Sequence, residues 1–209
     1  MRGAKIKSPL KVNIYVDFME LMPIFVDKGT LKGLHSICLR KNSRSEFDLL
    51  LDRLTNIAYV QRYCKDNIEY LNSGFFGQIS LEDAIREIRK DVKEMVVRLQ
   101  TAAVSDRGTG RNRLEQLFRP LHNLDGGVRE LQSHKFKPGK ISKVRLYAIR
   151  ISEDMFVATG GAIKLTHLME QHPDTLLEKK KIDRIKTWLK AVGICDEDSL
   201  IYYYEEQGE

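Results

Sequence analysis

The residues with the clearest chemical potential in this 209-residue sequence lie in one basic segment, residues 111–150. The segment carries ten Lys or Arg side chains and three acidic ones, for a net charge of +7, whereas the rest of the chain sums to −1. Guanidinium and ammonium groups bind phosphates, arginine bidentately, so this density predicts a polyanionic partner. The basic residues are Arg111, Arg113, Arg119, Arg129, Lys135, Lys137, Lys140, Lys143, Arg145 and Arg150.

Charge alone leaves a second interpretation open, because residues 195–209 carry six acidic side chains and no Lys or Arg. Such an acidic tail can shield the basic segment of its own chain, and the whole would then be an ordinary solvated surface. The shielding interpretation has one measurable consequence. Removal of the tail should strengthen RNA binding at low salt.

The composition argues against several classes of protein. With 31% charged and 42% hydrophobic residues, the chain has the balance of a folded domain. No apolar run approaches the roughly 20 residues that a membrane-spanning helix needs, and Asp17 and Glu20 interrupt any N-terminal secretion signal. Cys38, Cys64 and Cys195 have no disulfide or metal spacing, and the histidines have none with carboxylates. We therefore expect a cytoplasmic protein without metal or cofactor.

Two long amphipathic helices are predicted before the basic segment. Residues 45–72 repeat apolar side chains every three or four positions, and Ser43 and Glu46 have capping-box spacing. A second helix is expected from about Ser80 to about Ala103, again with its own cap. The stretch that follows, residues 105–110, is rich in glycine and polar residues and predicts a loop or a domain junction.

Beyond these helices the period changes to two, which predicts a three-stranded antiparallel meander. In the middle strand one face is apolar, and the other displays Arg145 and Tyr147. Gly160 and Gly161, in the third strand, predict a bulge or a close backbone approach. The predicted strands are Val128–Phe136, Val144–Ile149 and Met155–Leu165.

The remaining elements complete a predicted α+β fold, in which helices pack on a small antiparallel sheet with an N-terminal α/β extension. A short helix is expected from Arg113 to Phe118, and a final helix from Asp174, its cap, to Val192. Leu200–Tyr204 is an apolar segment suited to an edge strand or to docking. Candidate N-terminal strands are Val12–Phe18, Pro23–Val26 and Leu34–Leu39. The predicted divisions are residues 1–78, 79–194 and 195–209.

Three short motifs follow one another on the predicted meander: Val128-Arg-Glu-Leu131, Arg145-Leu-Tyr147 and Ala162-Ile-Lys-Leu-Thr166. Their order, and the order helix, helix, basic meander, helix, resembles the RelE/ParE/HigB superfamily of bacterial toxins from toxin–antitoxin systems. The resemblance covers residues 111–192 and one or two preceding helices. The chain departs from the pattern in its greater length and in having one basic residue, Lys164, where a tandem pair is common.

The resemblance implies metal-independent cleavage of mRNA at the ribosome, in which a ribose 2′-hydroxyl attacks the neighbouring phosphate. Arg129 and Arg145 would hold the phosphate, and Lys164 would supply charge or transfer a proton. Tyr147 or His134 would act as acid or base, or stack on a nucleobase. The expected RNA-binding residues are Arg111, Arg113, Arg119, Lys135, Lys137, Lys140, Lys143 and Arg150.

Two alternatives remain open at the level of sequence. The same basic meander could be a non-catalytic module that binds nucleic acid or an acidic protein, or a toxin of this fold that acts on another target, such as a topoisomerase, without chemistry. A cleavage enzyme requires Arg145, Tyr147 and Lys164 to converge, whereas a binding module can scatter its charges. In the toxin case the implied partner is a cognate antitoxin that covers the meander and the final helix.

Overall fold

The computed structural model describes residues 18–74, 76–104, 113–121, 131–139 and 142–208. The strands within these ranges are β1 Glu20–Val26, β2 Gly33–Cys38, β3 Arg119–Pro120, β4 Gln132–Phe136, β5 Val144–Ser152 and β6 Met155–Ile163. The helices are α1 Glu46–Thr55, α2 Ile57–Asp66, α3 Ile68–Leu71, α4 Leu81–Val104, α5 Leu114–Leu117, α6 Pro173–Ala191 and α7 Glu197–Gln207, with a 3-10 helix at Met169–Gln171. The α+β class is therefore confirmed.

All six strands belong to one sheet in the order β1-β2-β6-β5-β4-β3. Strands β4, β5 and β6 form the antiparallel meander expected from the sequence. The sheet is nevertheless mixed, because β2 runs parallel to β6, with Gly33 opposite Met155 and Ser36 opposite Ala158. Strands from both ends of the chain thus complete one sheet, and the division at residue 78 stays a prediction.

Two hydrophobic cores lie on opposite faces of this sheet. Alternate residues of each strand point to opposite faces, so Leu146 and Phe156 pack against α1–α4, whereas Tyr147 and Val157 pack toward α6 and α7. The result is a sheet between two helical layers. In the described part of the chain, no helix is both long and apolar enough to cross a bilayer.

The second core corrects one prediction about β5. Arg145 and Tyr147 were expected on an exposed face, but they are only 8% and 1% exposed. The reason is that Ile149 and Ile151 continue the same face and pack under α6 and α7, so burial of these apolar side chains brings a helical layer over the strand.

The predicted helix over residues 45–72 is also wrong, because three helices occupy this range. Asn56 adopts an extended conformation, and its side-chain oxygen accepts the amide N–H three residues later, which starts α2 anew. A second break falls at Asn67, before α3. The cap of α1 is Ser45 and not Ser43, whose hydroxyl donates instead to a backbone carbonyl.

The other helical predictions have mixed outcomes. Ser80 caps α4 as expected, since its hydroxyl accepts the Asp83 amide N–H at 3.0 Å, and the short helix α5 is present. The cap of α6 is His172 and not Asp174. Leu200–Tyr204 is helical, within α7, and is not an edge strand. Residues 12–17, 105–110 and 128–130, to which strands and a loop were assigned, lie outside the described residues.

Candidate active site

A cleft of about 380 Å³ opens on the α6 side of the meander. Four cations, one carboxylate and a buried phenol are among the side chains that line it. We call it the cationic cleft, and these residues are Lys135, Arg145, Lys164, Lys179, Glu170 and Tyr147. The cleavage hypothesis requires Arg145, Tyr147 and Lys164 to lie close together, and the structure brings them together in this cleft.

Strand register explains the convergence. Lys135 of β4 lies opposite Tyr147 of β5, and directly opposed residues of an antiparallel pair share a face. Arg145 precedes Tyr147 by two residues and therefore has the same orientation. Arg145 in turn lies opposite Ala162 of β6, so Lys164, two residues further on, reaches the same face just beyond the strand.

The predicted bulge in β6 is present and is required for this arrangement. Tyr147 lies opposite Gly160 while its neighbour in β5 lies opposite Ala158, which leaves Thr159 as an extra residue. Before the bulge, the odd-numbered residues of β6 face α6. After the bulge, the even-numbered residue Ala162 faces α6 instead. A shift of one residue exchanges the two faces of a strand. Without the bulge, Lys164 would project toward α4.

Gly161 is needed for a close backbone approach. A Cβ atom at this position would lie 2.3 Å from the carbonyl oxygen of Arg145 and 2.6 Å from Leu50 of α1. Both distances are far below van der Waals contact, so only glycine fits. The bulge is therefore held between the neighbouring strand and α1.

Arg145 supplies a buried positive charge to the cationic cleft. Its Nη1 donates to the carbonyls of Ser142 and Val144, the second at 2.8 Å, which fixes the side chain. Its Nε and Nη2 make no hydrogen bond to any described residue. Burial lowers the pKa of the guanidinium below its ordinary value, yet arginine stays charged in proteins. The remaining donors can therefore bind the oxygens of an anion.

Tyr147 contributes a phenol whose hydroxyl has no partner. The side chain is 1% exposed, and its Oη makes no hydrogen bond within the described part of the chain. Burial raises the pKa of this phenol, against the opposing charge of Arg145, so the group is neutral and able to donate a proton. A buried hydroxyl without a partner costs about 1–3 kcal/mol, so a ligand or a water molecule that accepts from it would offset this cost.

Lys164 has an acid–base range that suits catalysis. Its Nζ donates to the backbone carbonyls of Thr166 at 2.7 Å and His167 at 2.6 Å, which orients the group. Burial, followed by the charges of Arg145 and Lys135, lowers the pKa of Lys164 to about 8. A group with a pKa near the working pH exchanges protons most effectively.

Lys179 and Glu170 were missed by the sequence analysis. They form an ion pair across the mouth of the cationic cleft. Lys179 lies on α6, and only the helical layer that covers β5 brings it near the meander. Its one sequence signal is the lysine run 179–181, which is also typical of a solvated helix face.

One of the predicted catalytic residues, His134, faces away from the cationic cleft. His134 precedes Lys135 by one residue and so faces the other side of the sheet, where its ring packs on Phe156 with centroids 5.6 Å apart. Its Nδ1 lies 3.0 Å from a backbone carbonyl oxygen, and burial lowers its pKa. Arg129 lies outside the described residues.

Three of the predicted RNA-binding residues form ion pairs within the protein. Lys143 is 1% exposed, and its Nζ lies 2.5 Å from Glu87 of α4. The Nε of Arg150 donates to both carboxylate oxygens of Glu115, at 2.9 and 3.0 Å. Arg113 is paired with acidic side chains of the β5–β6 turn. These cations are engaged in holding helices and turns to the sheet.

Of the other five predicted RNA-binding residues, three belong to the described structure. Lys135 lines the cationic cleft, and Arg119 lies directly opposite it on β3, so that the exposed guanidinium extends the same row of cations across the sheet. Lys137 is exposed at the end of β4. Arg111 and Lys140 lie outside the described residues.

The described part of the acidic tail docks near β2. Glu197 of α7 pairs with Lys32 at 3.0 Å, and the ring of Tyr204 stacks on His35 with centroids 5.4 Å apart. Neither partner belongs to the basic segment. Shielding of that segment by the tail stays a prediction.

No family model, no curated protein and no solved structure matches this chain. The fold and the site define an α+β protein with a partly buried cationic cleft on its antiparallel meander.

Proposed function

We propose that this protein is a toxin-like, metal-independent endoribonuclease that cleaves mRNA at the ribosome in the cytoplasm and is restrained by a cognate antitoxin. The proposal rests on one observation, the convergence of Arg145, Tyr147 and Lys164 in one cleft with Lys135 beside them. A cleavage enzyme requires this convergence, whereas a binding module can scatter its charges.

The geometry gives each group a role in cleavage. The neutral amine of Lys164 accepts the proton of the ribose 2′-hydroxyl, whose oxygen then bonds to phosphorus. Arg145 and Lys135 bind the non-bridging oxygens, where negative charge accumulates in the phosphorane. The bond from phosphorus to the 5′-oxygen breaks, and the phenol of Tyr147 donates its proton to that oxygen. The products are a 2′,3′-cyclic phosphate and a 5′-hydroxyl, and transfer of the proton from Lys164 to the phenolate restores both groups.

A second candidate function is a non-catalytic module that binds single-stranded RNA. The row formed by Arg119 and Lys135 favours it, because the row continues beyond the cationic cleft along an exposed surface. Binding by such a row would be sequence-independent and would weaken steeply with salt.

The decisive experiment combines cleavage and binding. Purified protein is incubated with translated and free mRNA in the presence of a chelator, and the RNA ends are analysed. Lys164→Met and Tyr147→Phe are compared with Lys180→Met, a control at an exposed lysine of α6. We expect cyclic-phosphate ends from the wild type and the control, and a loss of about 10²-fold in each variant of the cationic cleft.

Other outcomes have a clear meaning. If the wild type binds RNA without producing new ends, the binding module is the better description. If Tyr147→Phe and Lys164→Met cleave as fast as the control, these residues are not catalytic. Induced expression of the active enzyme should arrest growth, and the two variants should relieve the arrest.

A further inference from the structure

A second pocket, of about 100 Å³, lies at the edge of β6. Strand β2 pairs with β6 only as far as Ala158, so in the described structure no strand borders residues 160–163 on that side. Helices α1, α2 and α6 surround this edge instead. We call this space the edge pocket, and its polar lining residues are Arg53, Tyr59, Tyr63, Asp174 and Glu178.

The edge pocket has the chemistry of a cation site. Asp174 and Glu178 lie four residues apart on α6 and hence on one face of the helix. Tyr59 and Tyr63 have the same spacing on α2, with ring centroids 6.1 Å apart. Burial raises the pKa of both phenols, so the rings stay neutral. The lining has two carboxylates and one cation, Arg53, and beside it Lys181 pairs with both Glu178 and Glu46, so these five charges sum to −1.

Glu178 offers a buried hydrogen-bond acceptor to the edge pocket. The residue is 7% exposed, and its Oε1 accepts a hydrogen bond from Lys181 at 2.8 Å. Its Oε2 makes no hydrogen bond within the described residues. A buried carboxylate oxygen without a donor is unfavourable, and a donor that enters the edge pocket would satisfy it.

We propose that the edge pocket binds the ammonium or guanidinium end of an organic cation, either a free small amine or a Lys or Arg side chain of a partner protein. The charged end would donate to Glu178 and Asp174, and the tyrosine rings would contribute cation–π attraction. A volume of about 100 Å³ accommodates such a head group but no nucleotide.

The ligand set favours an organic cation over a metal ion. Calcium takes six to eight oxygen ligands in proteins, and the edge pocket offers two carboxylates. Within the described residues, no three His, Cys, Asp or Glu side chains form a metal-binding group. An ammonium group has three N–H donors and a guanidinium group five, and the carboxylates of Asp174 and Glu178 can accept from either group without a full metal coordination shell.

Titration of the full-length protein tests this proposal. Methylguanidinium and n-butylammonium chloride are titrated against an isotopically labelled sample at constant ionic strength, and backbone amide shifts near residues 160–163 and in α2 are followed. Glu178→Gln is compared with Asp183→Asn, an exposed carboxylate on the same helix. We expect saturable binding that weakens about tenfold in Glu178→Gln and is unchanged in Asp183→Asn, since a charge-assisted hydrogen bond is lost.

A second arm separates the two sources of the cation. A short peptide with one arginine between leucines is compared with methylguanidinium, because Leu177 lines the edge pocket and is 62% exposed. Tighter binding of the peptide identifies a protein side chain, and equal affinity identifies a free amine. The proposal is overturned if neither small cation binds saturably, or if Glu178→Gln and Asp174→Asn both fold and bind as the wild type does.

Discussion

The cationic cleft and the edge pocket both lie beside β6 after its bulge, and their linings carry opposite charge. Helix α6 serves both, because Lys179 lines the first and Glu178 the second. Adjacent residues of an α-helix diverge by about 100° around its axis, so one helix can present a cation to one site and a carboxylate to the other. The comparison teaches that the direction in which a residue projects from β6 or α6 decides which site it lines. The charge of its neighbours in the sequence does not.

Each site also contains one buried polar atom without a partner, Tyr147 Oη in the cationic cleft and Glu178 Oε2 in the edge pocket. By contrast, the buried cation Lys143, elsewhere in the molecule, is paired with a carboxylate. Unsatisfied buried groups lower stability, so a ligand that bonds to either atom would stabilise the protein. The two sites thus share a physical signature despite their opposite charge.

The largest expected effect comes from a side chain placed at Gly161, just after the bulge in β6. Gly161→Ala should reduce the free energy of unfolding by about 3 kcal/mol, because its methyl group would meet the Arg145 carbonyl oxygen and Leu50. The measurement is urea denaturation. Gly139→Ala is the matched control, since a Cβ there meets nothing within 4 Å. Equal stability of the two variants would contradict the structural role of the bulge.

A test of the cationic cleft alone is the pH dependence of cleavage. If Lys164 is the base, its neutral form is active, so the rate should rise with pH and level off above about 8, the pKa of this group. Lys164→Met should reduce the cleavage rate about 10²-fold and should also remove its dependence on pH. A rate that falls as the pH passes 8 would assign Lys164 to phosphate binding instead.

A pair of tyrosines sharpens the comparison between the two sites. Tyr147→Phe removes a hydroxyl without a partner and should raise the free energy of unfolding by about 1 kcal/mol while lowering cleavage. Tyr63→Phe removes a hydroxyl that donates to the Ile163 carbonyl at 3.1 Å and should cost about 1 kcal/mol. Chemical denaturation of both variants measures the difference. Shifts of the same sign would count against an unsatisfied Tyr147.

The smallest expected effect concerns the row of cations that leads away from the cationic cleft. Arg119→Ala should weaken RNA binding severalfold and reduce the slope of log K against log salt by about 1. Arg150→Ala is the contrasting variant, because its guanidinium is already paired with Glu115, and its slope should not change. Fluorescence anisotropy at several salt concentrations provides both slopes.

Much of the meander could be predicted from the sequence, because alternation of period two and a glycine pair are local signals. The strand register could not be predicted, and His134 was therefore misplaced: it is adjacent to Lys135 in β4, so the two side chains lie on opposite faces of the sheet. Arg145 and Tyr147 were assigned to the right strand but to a solvated surface. Ile149 and Ile151 on the same face were the signal that a helical layer covers them.

The parts that could not be predicted depend on tertiary contacts. The three- and four-residue period continues across Asn56 and Asn67, so it hides two helix breaks that the capping of α2 and the packing of α3 create. Lys179 joins the cationic cleft only through the packing of α6. The edge pocket escaped notice altogether, because Tyr63 and Glu178 lie more than one hundred residues apart in the sequence.

The parallel pairing of β2 with β6 has a consequence for synthesis of the chain. Ser36 and its partner Ala158 are 122 residues apart, so β2 leaves the ribosome long before the strand that borders it. Contacts between such distant residues form late in folding. Strands β1 and β2 and helices α1–α4 are therefore synthesised before β6, the strand that pairs with β2, and neither pocket can exist before α6 has been translated.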